Sequence, residues 1–396
     1  MKLKISLKNF IMIIPYSRQF IDKSDIKEVN KVLKSDFLTQ GPNINIFEKN
    51  LSKFVGSKYA VAVSSASAGL HLSCLALGLK NNDILWTTPN TFVASASCGL
   101  HCGAKLNFVD IDINTNNICV KKLEEKLKKA KKLKKLPQIL VPVHFSGQPT
   151  LQDEIFKLSK KYKFKILEDA SHSLGASYKK VKVGSCKWSD AAVFSLHPVK
   201  TITSGEGGII TTNNKKIYEM LLNLRNNGIV NNLKNLKKKI NSKWYYEQQY
   251  LGFNYRLNDI QAALGNSQLK KITKFIKYRN KIANYYLDKL NDLNIDLPLI
   301  NKNVISTFHL FVIKLRTKNL KKYDEIFKKI LSYGISINLH YLPVHLHPLF
   351  KKMGFKKGDF PIAERYSETA ISIPIYYGLT KKKVDKTIKI LKKLIK

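Results

Sequence analysis

Short apolar runs alternate with amphipathic stretches through the first two-thirds of this 396-residue chain. The runs are rich in β-branched and aromatic residues, which is typical of buried strands, whereas the stretches between them repeat apolar residues at helical spacing. Strands are predicted at residues 59–63, 84–87, 105–109, 138–143, 164–168, 191–195 and 208–212. Helices are predicted at 67–79, 91–100, 151–162 and 259–274. This alternation predicts an α/β fold with a mostly parallel sheet.

The pattern changes near residue 275, where a long helical stretch at 278–293 leads into a smaller α+β unit. Its strands are predicted at 307–315 and 334–339, and its helices at 323–332 and at the C-terminus. We therefore predict a large domain at 12–274 and a small C-terminal domain at 275–396. Residues 1–11 are interpreted as an N-terminal extension and not as a signal peptide, because Lys8 and Asn9 interrupt the apolar part and no cleavage site follows.

The net charge of +41, from 69 basic and 28 acidic residues, could indicate nucleic acid or an anionic membrane as a partner. The charge is, however, spread along the whole chain. Nine lysines in residues 121–135 share that stretch with Leu123, Leu127, Ala130 and Leu133, which recur at helical spacing and predict an amphipathic helix with a solvated lysine face. We interpret the charge chiefly as a consequence of genome composition, and predict neither specific nucleic-acid binding nor membrane association.

The five cysteines are odd in number and sparse, which favours a reduced, cytoplasmic protein. Cys98, His101 and Cys102 could suggest a metal site. No fourth ligand accompanies them and their neighbours are apolar, so we interpret them as helix residues and predict no metal.

An acidic residue and a lysine each follow a strand-like run. Asp169 comes after the run 164–168, and Lys200 comes after 191–195. In an open α/β sheet, side chains at the carboxyl ends of strands gather at one edge. A pyridoxal phosphate (PLP) enzyme needs this pair, because the lysine forms a Schiff base with the cofactor aldehyde and the acid keeps the pyridine nitrogen protonated. Alone the pair is a weak signal, since both residue types are common on surfaces.

The surrounding sequence resembles the sugar-nucleotide aminotransferases of the DegT/DnrJ/EryC/StrS family. The resemblance extends from Ile14 to Pro374, and besides the segments of Asp169 and Lys200 it includes ordered blocks at residues 36–42, 91–96, 142–149, 252–265 and 340–345. It implies PLP as cofactor. It also implies the type I, aspartate aminotransferase-like fold of PLP-dependent transferases, with a large domain built on a mostly parallel sheet and a smaller α+β C-terminal domain.

The resemblance assigns Lys200 as the Schiff-base lysine and Asp169 as the partner of the pyridine nitrogen. Ala66 and Ser67 are implied to hold the cofactor phosphate at a helix N-terminus, where free N–H groups favour anions, together with the hydroxyl of Ser195. Relatives usually carry Gly-Thr where this chain has Ala66-Ser67. We expect the site to survive this difference if the φ angle of Ala66 is negative.

Three further cofactor contacts are implied in the same way. Phe92 is expected to stack on the pyridine ring, and His172 to approach the 3′-oxygen. Asn254 is expected to reach across a homodimer interface to the phosphate of the other subunit, so that active sites are shared. The Lys- and Asn-rich segment 231–250 ends in an aromatic cluster, and it is either a mobile surface loop or a loop that orders against the partner.

Substrate contacts are implied by segments that resemble the branch of the family producing UDP-4-amino-4,6-dideoxy-N-acetyl-β-L-altrosamine for pseudaminic acid. They are Tyr16, Asp36, Phe37, Leu38, Thr39, His340 and Tyr341. The expected partners are a UDP-linked 4-keto sugar and L-glutamate, which is released as 2-oxoglutarate. An aminotransferase of another nucleotide-linked 3- or 4-keto sugar remains open.

Three other functions are disfavoured. PLP-dependent sugar dehydratases of this family carry histidine in place of the lysine, and Lys200 argues against that activity. The intact set of Asp169, Ser195 and Lys200 argues against a regulatory relic that only binds PLP. The even spread of the charge along the chain argues against a nucleic-acid-binding protein.

Overall fold

The fold is described from a computed structural model, for residues 13–232, 235–238, 240, 242, 244–317 and 319–395. The extension predicted at residues 1–11 lies outside this range. The helices are α1 (Lys23–Leu33), α2 (Pro42–Val55), α3 (Ala66–Ala76), α4 (Ala94–His101), α5 (Val120–Lys132), α6 (Gln152–Tyr162), α7 (Lys215–Arg225), α8 (Asp259–Leu269), α9 (Ile272–Lys289), α10 (Leu320–Ser332), α11 (Pro348–Lys351), α12 (Pro361–Ser367) and α13 (Lys381–Leu394).

The strands of the central sheet are β1 (Tyr59–Val63), β2 (Ile84–Thr87), β3 (Lys105–Phe108), β4 (Ile139–Val141), β5 (Lys165–Asp169), β8 (Ala191–Ser195) and β9 (Gly208–Thr212). Between β5 and β8 lie β6 (Ser177–Tyr178) and β7 (Val181–Lys182). The later strands are β10 (Ile229–Val230), β11 (Glu247–Gln248), β12 (Ile295–Asp296), β13 (Val304–Ile305), β14 (Phe311–Leu315) and β15 (Ala370–Ile373).

The large unit is built on the seven-stranded sheet, whose order is β1-β9-β8-β5-β4-β2-β3. Strand β9 is antiparallel to both of its neighbours, and the remaining pairs are parallel. The carboxyl ends of β1, β2, β4, β5 and β8 therefore lie along one edge. This confirms the α/β class and the mostly parallel sheet, and it gathers the loops after these strands at one place.

The small unit contains the antiparallel sheet β12-β14-β15, with α10 and α13. The strand predicted at 334–339 is wrong: its Ile335 pairs only with Ile14, and its Asn338 pairs only with Ser372. The strand that pairs with β14 is instead β15. Through the Ile335 pairing, Ile14 joins the apolar core of the small unit.

Helix α9 joins the two units. Ile272, Phe275 and Ile276 in its first half pack in the core of the large unit. Ile282 and Tyr286 in its second half pack in the core of the small unit. The predicted boundary between residues 274 and 275 falls within this continuous helix, and the division of the chain at that point stays a prediction.

The amphipathic helix predicted in the lysine-rich stretch is α5. Leu123, Leu127 and Ala130 are buried, and most of its lysines face solvent, whereas Leu133 follows the helix end and is 66% exposed. Within the described residues, no helix has the length and apolar character needed to cross a bilayer.

Candidate active site

A cavity of about 430 Å³ opens at the carboxyl edge of the large sheet, where segments of both units meet. It brings together ten of the residues predicted from sequence. They are Tyr16, Ala66, Ser67, Phe92, Asp169, His172, Ser195, Lys200, His340 and Tyr341. The cavity is therefore the candidate active site.

Asp169 is the last residue of β5 and is only 5% exposed. The Ser95 hydroxyl donates a hydrogen bond of 2.6 Å to Asp169 Oδ2, and the backbone N–H of Ser171 donates one of 3.0 Å to Oδ1. Ser95 also shares a 2.7 Å hydrogen bond with the Thr91 hydroxyl. These contacts fix the orientation of the carboxylate. Ser95 was not predicted as a site residue. The signal for it in the sequence was its spacing of four residues from Thr91, with which it shares a hydrogen bond.

Lys200 lies in the loop between β8 and β9 and is half-buried where it lines the cavity. Burial lowers the pKa of its amine to about 8, and the nearby charge of Asp169 acts in the opposite direction. An amine with this pKa is partly neutral near physiological pH, which a lysine needs in order to attack a carbonyl or to accept a proton.

The N-terminus of α3 forms one end of the cavity. Ser65 caps the helix by accepting a 3.1 Å hydrogen bond from the Ala68 N–H. Ala66 is the first residue of the helix and has a negative φ, which is the backbone conformation that alanine requires at this position. Gly208 at the start of β9 lies directly behind it, where a Cβ would sit 2.6 Å from the Ala66 nitrogen. Glycine at 208 therefore allows the helix end to approach the sheet, a role the sequence reading missed.

Two buried histidines occupy the cavity side by side. The rings of His172 and His309 are 4.4 Å apart, and the Tyr341 hydroxyl lies 3.2 Å from His172 Nε2. Burial, with the charge of Lys200, holds the pKa of His172 well below its usual range, and burial does the same for the pKa of His309. Both rings are therefore neutral at physiological pH. His309 was missed, because a lone histidine before a strand carries no distinguishing pattern.

Arg279 fixes the segment that carries His309. It is 2% exposed, and its guanidinium donates hydrogen bonds to the carbonyls of Phe308, His309 and Ile375. Since Arg279 lies in α9, the helix shared by both units positions a residue of the cavity.

The outer wall of the cavity holds the predicted substrate residues Tyr16, His340 and Tyr341. The rings of Tyr16 and His340 are 5.3 Å apart, and His340 Nδ1 lies 2.8 Å from the Ser372 hydroxyl. Burial lowers the pKa of His340 to about 4, and it raises the pKa values of Tyr16 and Tyr341. At neutral pH the wall therefore offers neutral hydrogen-bonding groups to a ligand.

Five predicted site residues do not line this cavity. Asp36, Phe37, Leu38, Thr39 and Asn254 are all exposed. The two segments that carry them share one surface. There, Gln40 and Gly41 line a smaller cleft with Asn226, and Asn226 is bridged to Asn254.

The comparisons with known proteins agree with this geometry. The model of the DegT/DnrJ/EryC1/StrS aminotransferase family matches residues 19–392. The chain is 38% identical over 373 residues to the UDP-4-amino-4,6-dideoxy-N-acetyl-β-L-altrosamine transaminase of Campylobacter jejuni, covering 93% of this chain and 94% of that one.

Two solved structures are similar over nearly the whole chain. Helicobacter pylori PseC, an aminotransferase of pseudaminic acid biosynthesis, has a TM-score of 0.87 at 31% identity, covering 96% of this chain and 99% of that chain. The PLP form of Spr1654 of Streptococcus pneumoniae has a TM-score of 0.87 at 26% identity, covering 97% of this chain and 100% of that chain.

The chain belongs to the DegT/DnrJ/EryC1/StrS aminotransferase family, and it is a PLP-dependent sugar aminotransferase with the type I fold. The cavity fits the cofactor. His172 Nδ1 and His309 Nδ1 are buried and have no hydrogen-bond partner among the described residues, so each is available to a ligand. Phe92 is 56% exposed although it lines the cavity, which leaves its ring available to stack on a bound group.

Proposed function

From this family membership, we propose that the enzyme transfers an amino group from L-glutamate to C4 of UDP-2-acetamido-2,6-dideoxy-β-L-arabino-hexos-4-ulose. The product would be UDP-4-amino-4,6-dideoxy-N-acetyl-β-L-altrosamine, a precursor of pseudaminic acid. One observation carries the proposal: Tyr16, His340 and Tyr341, which resemble the pseudaminic branch, line the same cavity as Lys200. The activity of the Campylobacter jejuni relative supports it.

The residues that would hold the cofactor are distributed around the cavity. The N-terminus of α3 at Ala66 and Ser67, with the Ser195 hydroxyl, would hold the phosphate. Asp169 would hold the proton of the pyridine nitrogen, and His172 would approach the 3′-oxygen. When bound, the cofactor supplies an electrophilic aldehyde and a ring that withdraws electrons from the carbon being deprotonated.

Lys200 would move the proton in both halves of the reaction. Glutamate loses the hydrogen on Cα when it gives up its amino group and leaves as 2-oxoglutarate. The keto sugar gains a hydrogen at C4 when it takes that amino group. A base with a pKa of about 8 can accept the first proton and return the second near neutral pH, which is the condition for efficient general acid–base catalysis.

The neighbours of Lys200 support this role. Three imidazoles of the cavity are neutral at physiological pH, since burial keeps the pKa values of His172, His309 and His340 low. A protonated histidine beside Lys200 would repel the ammonium form of the lysine. Because these histidines stay neutral, they do not oppose the change of Lys200 between its amine and its ammonium form.

We further propose a homodimer with shared active sites. Phe37 and Leu38 are 56% and 46% exposed, and they share their surface with Asn254 and its bridge partner Asn226. Exposed apolar side chains of this size suit a subunit interface. Across it, Asn254 would reach the partner's cofactor phosphate, and residues 36–39 would reach the partner's substrate.

Mixed dimers test this assembly. Each of the inactive variants Lys200→Ala and Asn254→Ala should regain activity when the two are unfolded together and refolded, because one of the two sites in the mixed dimer then has both residues intact. A mixture of Lys200→Ala with Asp169→Asn should stay inactive under the same treatment, since both residues lie in one protomer's cavity. An active monomer in sedimentation at assay concentration would contradict the proposal.

The substrate is tested by kcat/KM on the proposed ketone, its D-xylo epimer and dTDP-4-keto-6-deoxyglucose, each with glutamate as donor. Misplacing the carbonyl by 1 Å relative to Lys200 can reduce the rate on the order of a hundredfold, so the three should separate clearly. A preference for either control would overturn the substrate and leave the aminotransferase intact. The alternative substrate class is another nucleotide-linked 3- or 4-keto sugar.

A cytoplasmic location is also proposed. All five cysteines are free, including the half-buried Cys102 and Cys119. Free thiols that are reachable by solvent are stable in a reducing compartment.

A further inference from the structure

Three thiols and two imidazoles meet between α3 and α4, outside the cavity. His71 and Cys74 stand three residues apart on α3, and Cys98, His101 and Cys102 have similar spacing at the end of α4. Residues three or four apart share one face of a helix, and these two helices pack against each other. The His71 and His101 rings are 5.4 Å apart, and the three cysteines pack in one apolar cluster.

The thiols at the two ends of this cluster differ in environment. Cys74 is fully buried, and the thiols of Cys102 and Cys98, together with burial, hold the pKa of Cys74 well above its usual value. Cys102 is half-buried at the end of α4. Its interaction with the Cys74 thiol, and a smaller one with His71, lower the pKa of Cys102 to about 6. At neutral pH a reachable thiolate thus lies beside a protonated, buried thiol.

We propose that Cys102 and Cys74 form a peroxide-sensitive dithiol, in which Cys102 reacts with the oxidant and Cys74 resolves the product. The Cys102 sulfur attacks one oxygen of hydrogen peroxide, the O–O bond breaks, and the departing hydroxide takes up a proton as water, leaving a sulfenic acid. The Cys74 sulfur then attacks the Cys102 sulfur, and the S–O bond breaks. The hydroxyl group leaves with the Cys74 proton as a second water. Two thiols are oxidised to one disulfide, and one peroxide is reduced.

The other members of the cluster have different roles. Cys98 is 2% exposed and its thiol donates a 3.3 Å hydrogen bond to the Ser95 carbonyl, so it is neither reachable nor free to turn. The imidazole of His71 favours the thiolate of Cys102. Within the part of the chain that the structure describes, no group of three or more His, Cys, Asp or Glu side chains has an arrangement suited to a metal ion, which separates this cluster from a metal site.

Peptide mapping of the oxidised holoprotein tests the disulfide directly. The protein is treated with one equivalent of hydrogen peroxide, its remaining thiols are alkylated, and it is digested with trypsin without reduction. Cleavage after Lys58, Lys80 and Lys105 places Cys74 on peptide 59–80 and Cys102 on peptide 81–105. We expect these two peptides as one cross-linked species that reduction separates.

Three serine variants assign the cysteines, since Cys98 shares the second peptide. Cys98→Ser should still give the cross-link, and Cys102→Ser should abolish it. Cys119→Ser is the matched control, because Cys119 is also half-buried but lies at the start of α5, outside the cluster. The absorbance of bound cofactor shows that each variant is folded. The proposal is overturned by a cross-link that requires Cys98, or by a Cys102 sulfenic acid that dimedone traps while Cys74 remains a free thiol.

The pH dependence of alkylation gives a second readout. The alkylation rate at a single pH separates a low-pKa thiol from an ordinary one poorly. Lowering a thiol pKa from about 8.5 to about 6 raises the thiolate fraction at pH 7 roughly thirtyfold, but it lowers the nucleophilicity of the thiolate roughly tenfold. Reaction of Cys102 with iodoacetamide should have its midpoint near pH 6. His71→Asn should move that midpoint upward while the protein keeps its cofactor. A midpoint at the value of an unstructured peptide thiol, in the wild type, would also overturn the proposal.

Discussion

The floor and the outer wall of the cavity are built in different ways. The floor residues Asp169 and Ser195 end strands β5 and β8, and Lys200 follows in the next loop, so one sheet brings them together. The wall residues Tyr16 and His340 come from opposite ends of the chain. Their segments meet because Ile14 pairs with Ile335 and because the backbone N–H of Ile375 donates a hydrogen bond to the Tyr16 carbonyl.

We therefore expect the floor residues to carry out the proton transfers and the wall residues to recognise the sugar nucleotide. The floor is set by the register of a buried sheet, whereas the wall depends on how the N-terminal segment and the small unit pack together. We therefore expect floor substitutions to damage both halves of the reaction, with glutamate and with the keto sugar. Wall substitutions should damage only the half with the sugar. The two half-reactions can be measured separately by the absorbance change of the bound cofactor.

The largest effect is expected for Lys200→Ala. Both half-reactions should fall by about ten-thousandfold or more, because the amine that carries the proton in each of them is removed. Borohydride reduction should attach the cofactor to Lys200 in the wild type, as read by peptide mass. Lys126→Gln is the matched control: burial also lowers the pKa of Lys126 to about 8, but this lysine lies on α5 over the Trp86 ring. A Lys200→Ala enzyme with normal turnover would refute the assignment.

Asp169→Asn should lower both half-reactions by about a thousandfold while cofactor binding is retained. The amide keeps the size of the carboxylate, but it cannot hold the proton of the pyridine nitrogen. Asp190→Asn serves as control, since Asp190 also accepts a backbone hydrogen bond, from Ile166, yet lies away from the cavity. If only the sugar half-reaction falls in Asp169→Asn, the distinction between floor and wall is wrong.

The buried His340 of the wall should lower the free energy of unfolding at acid pH. His340 has a folded pKa of about 4 against 6.5 when unfolded, so between these values the unfolded chain takes up a proton that the folded chain does not. The stability of the wild type should therefore fall as pH decreases from 6.5 to 4, by up to about 3 kcal/mol from this residue. His340→Gln should remove that part of the slope in urea unfolding. Because His172 and His309 remain in both proteins, equal slopes would show that His340 is not buried as described.

The floor could be predicted from local sequence pattern, whereas the wall residues Tyr16, His340 and Tyr341 were implied only by the family resemblance. Strands β5 and β8 stand out as apolar runs, so the positions of Asp169 and Lys200 follow from local pattern and sheet topology. The segment 334–339 also alternates, and Ile335 and Ile337 are indeed buried. The predicted strand was nevertheless wrong, because an alternating pattern of buried residues does not distinguish a continuous β-ladder from isolated bridges. His309 was missed for a related reason, since Arg279 and α9 place it through contacts between the two units.

The smallest effect, and the sharpest test of the comparison, is expected for Tyr16→Phe. Tyr16 lies in the wall, half-buried against His340, and its hydroxyl is a neutral donor because burial raises its pKa. Loss of one neutral hydrogen bond to the sugar nucleotide amounts to about 1–1.5 kcal/mol, or roughly tenfold in kcat/KM for the sugar half-reaction. The glutamate half-reaction should not change. Tyr278→Phe is the control, since it loses a hydrogen bond to the Leu379 carbonyl outside the cavity and should leave both half-reactions intact. Equal losses in both halves for Tyr16→Phe would show that the wall takes part in the chemistry that the floor performs.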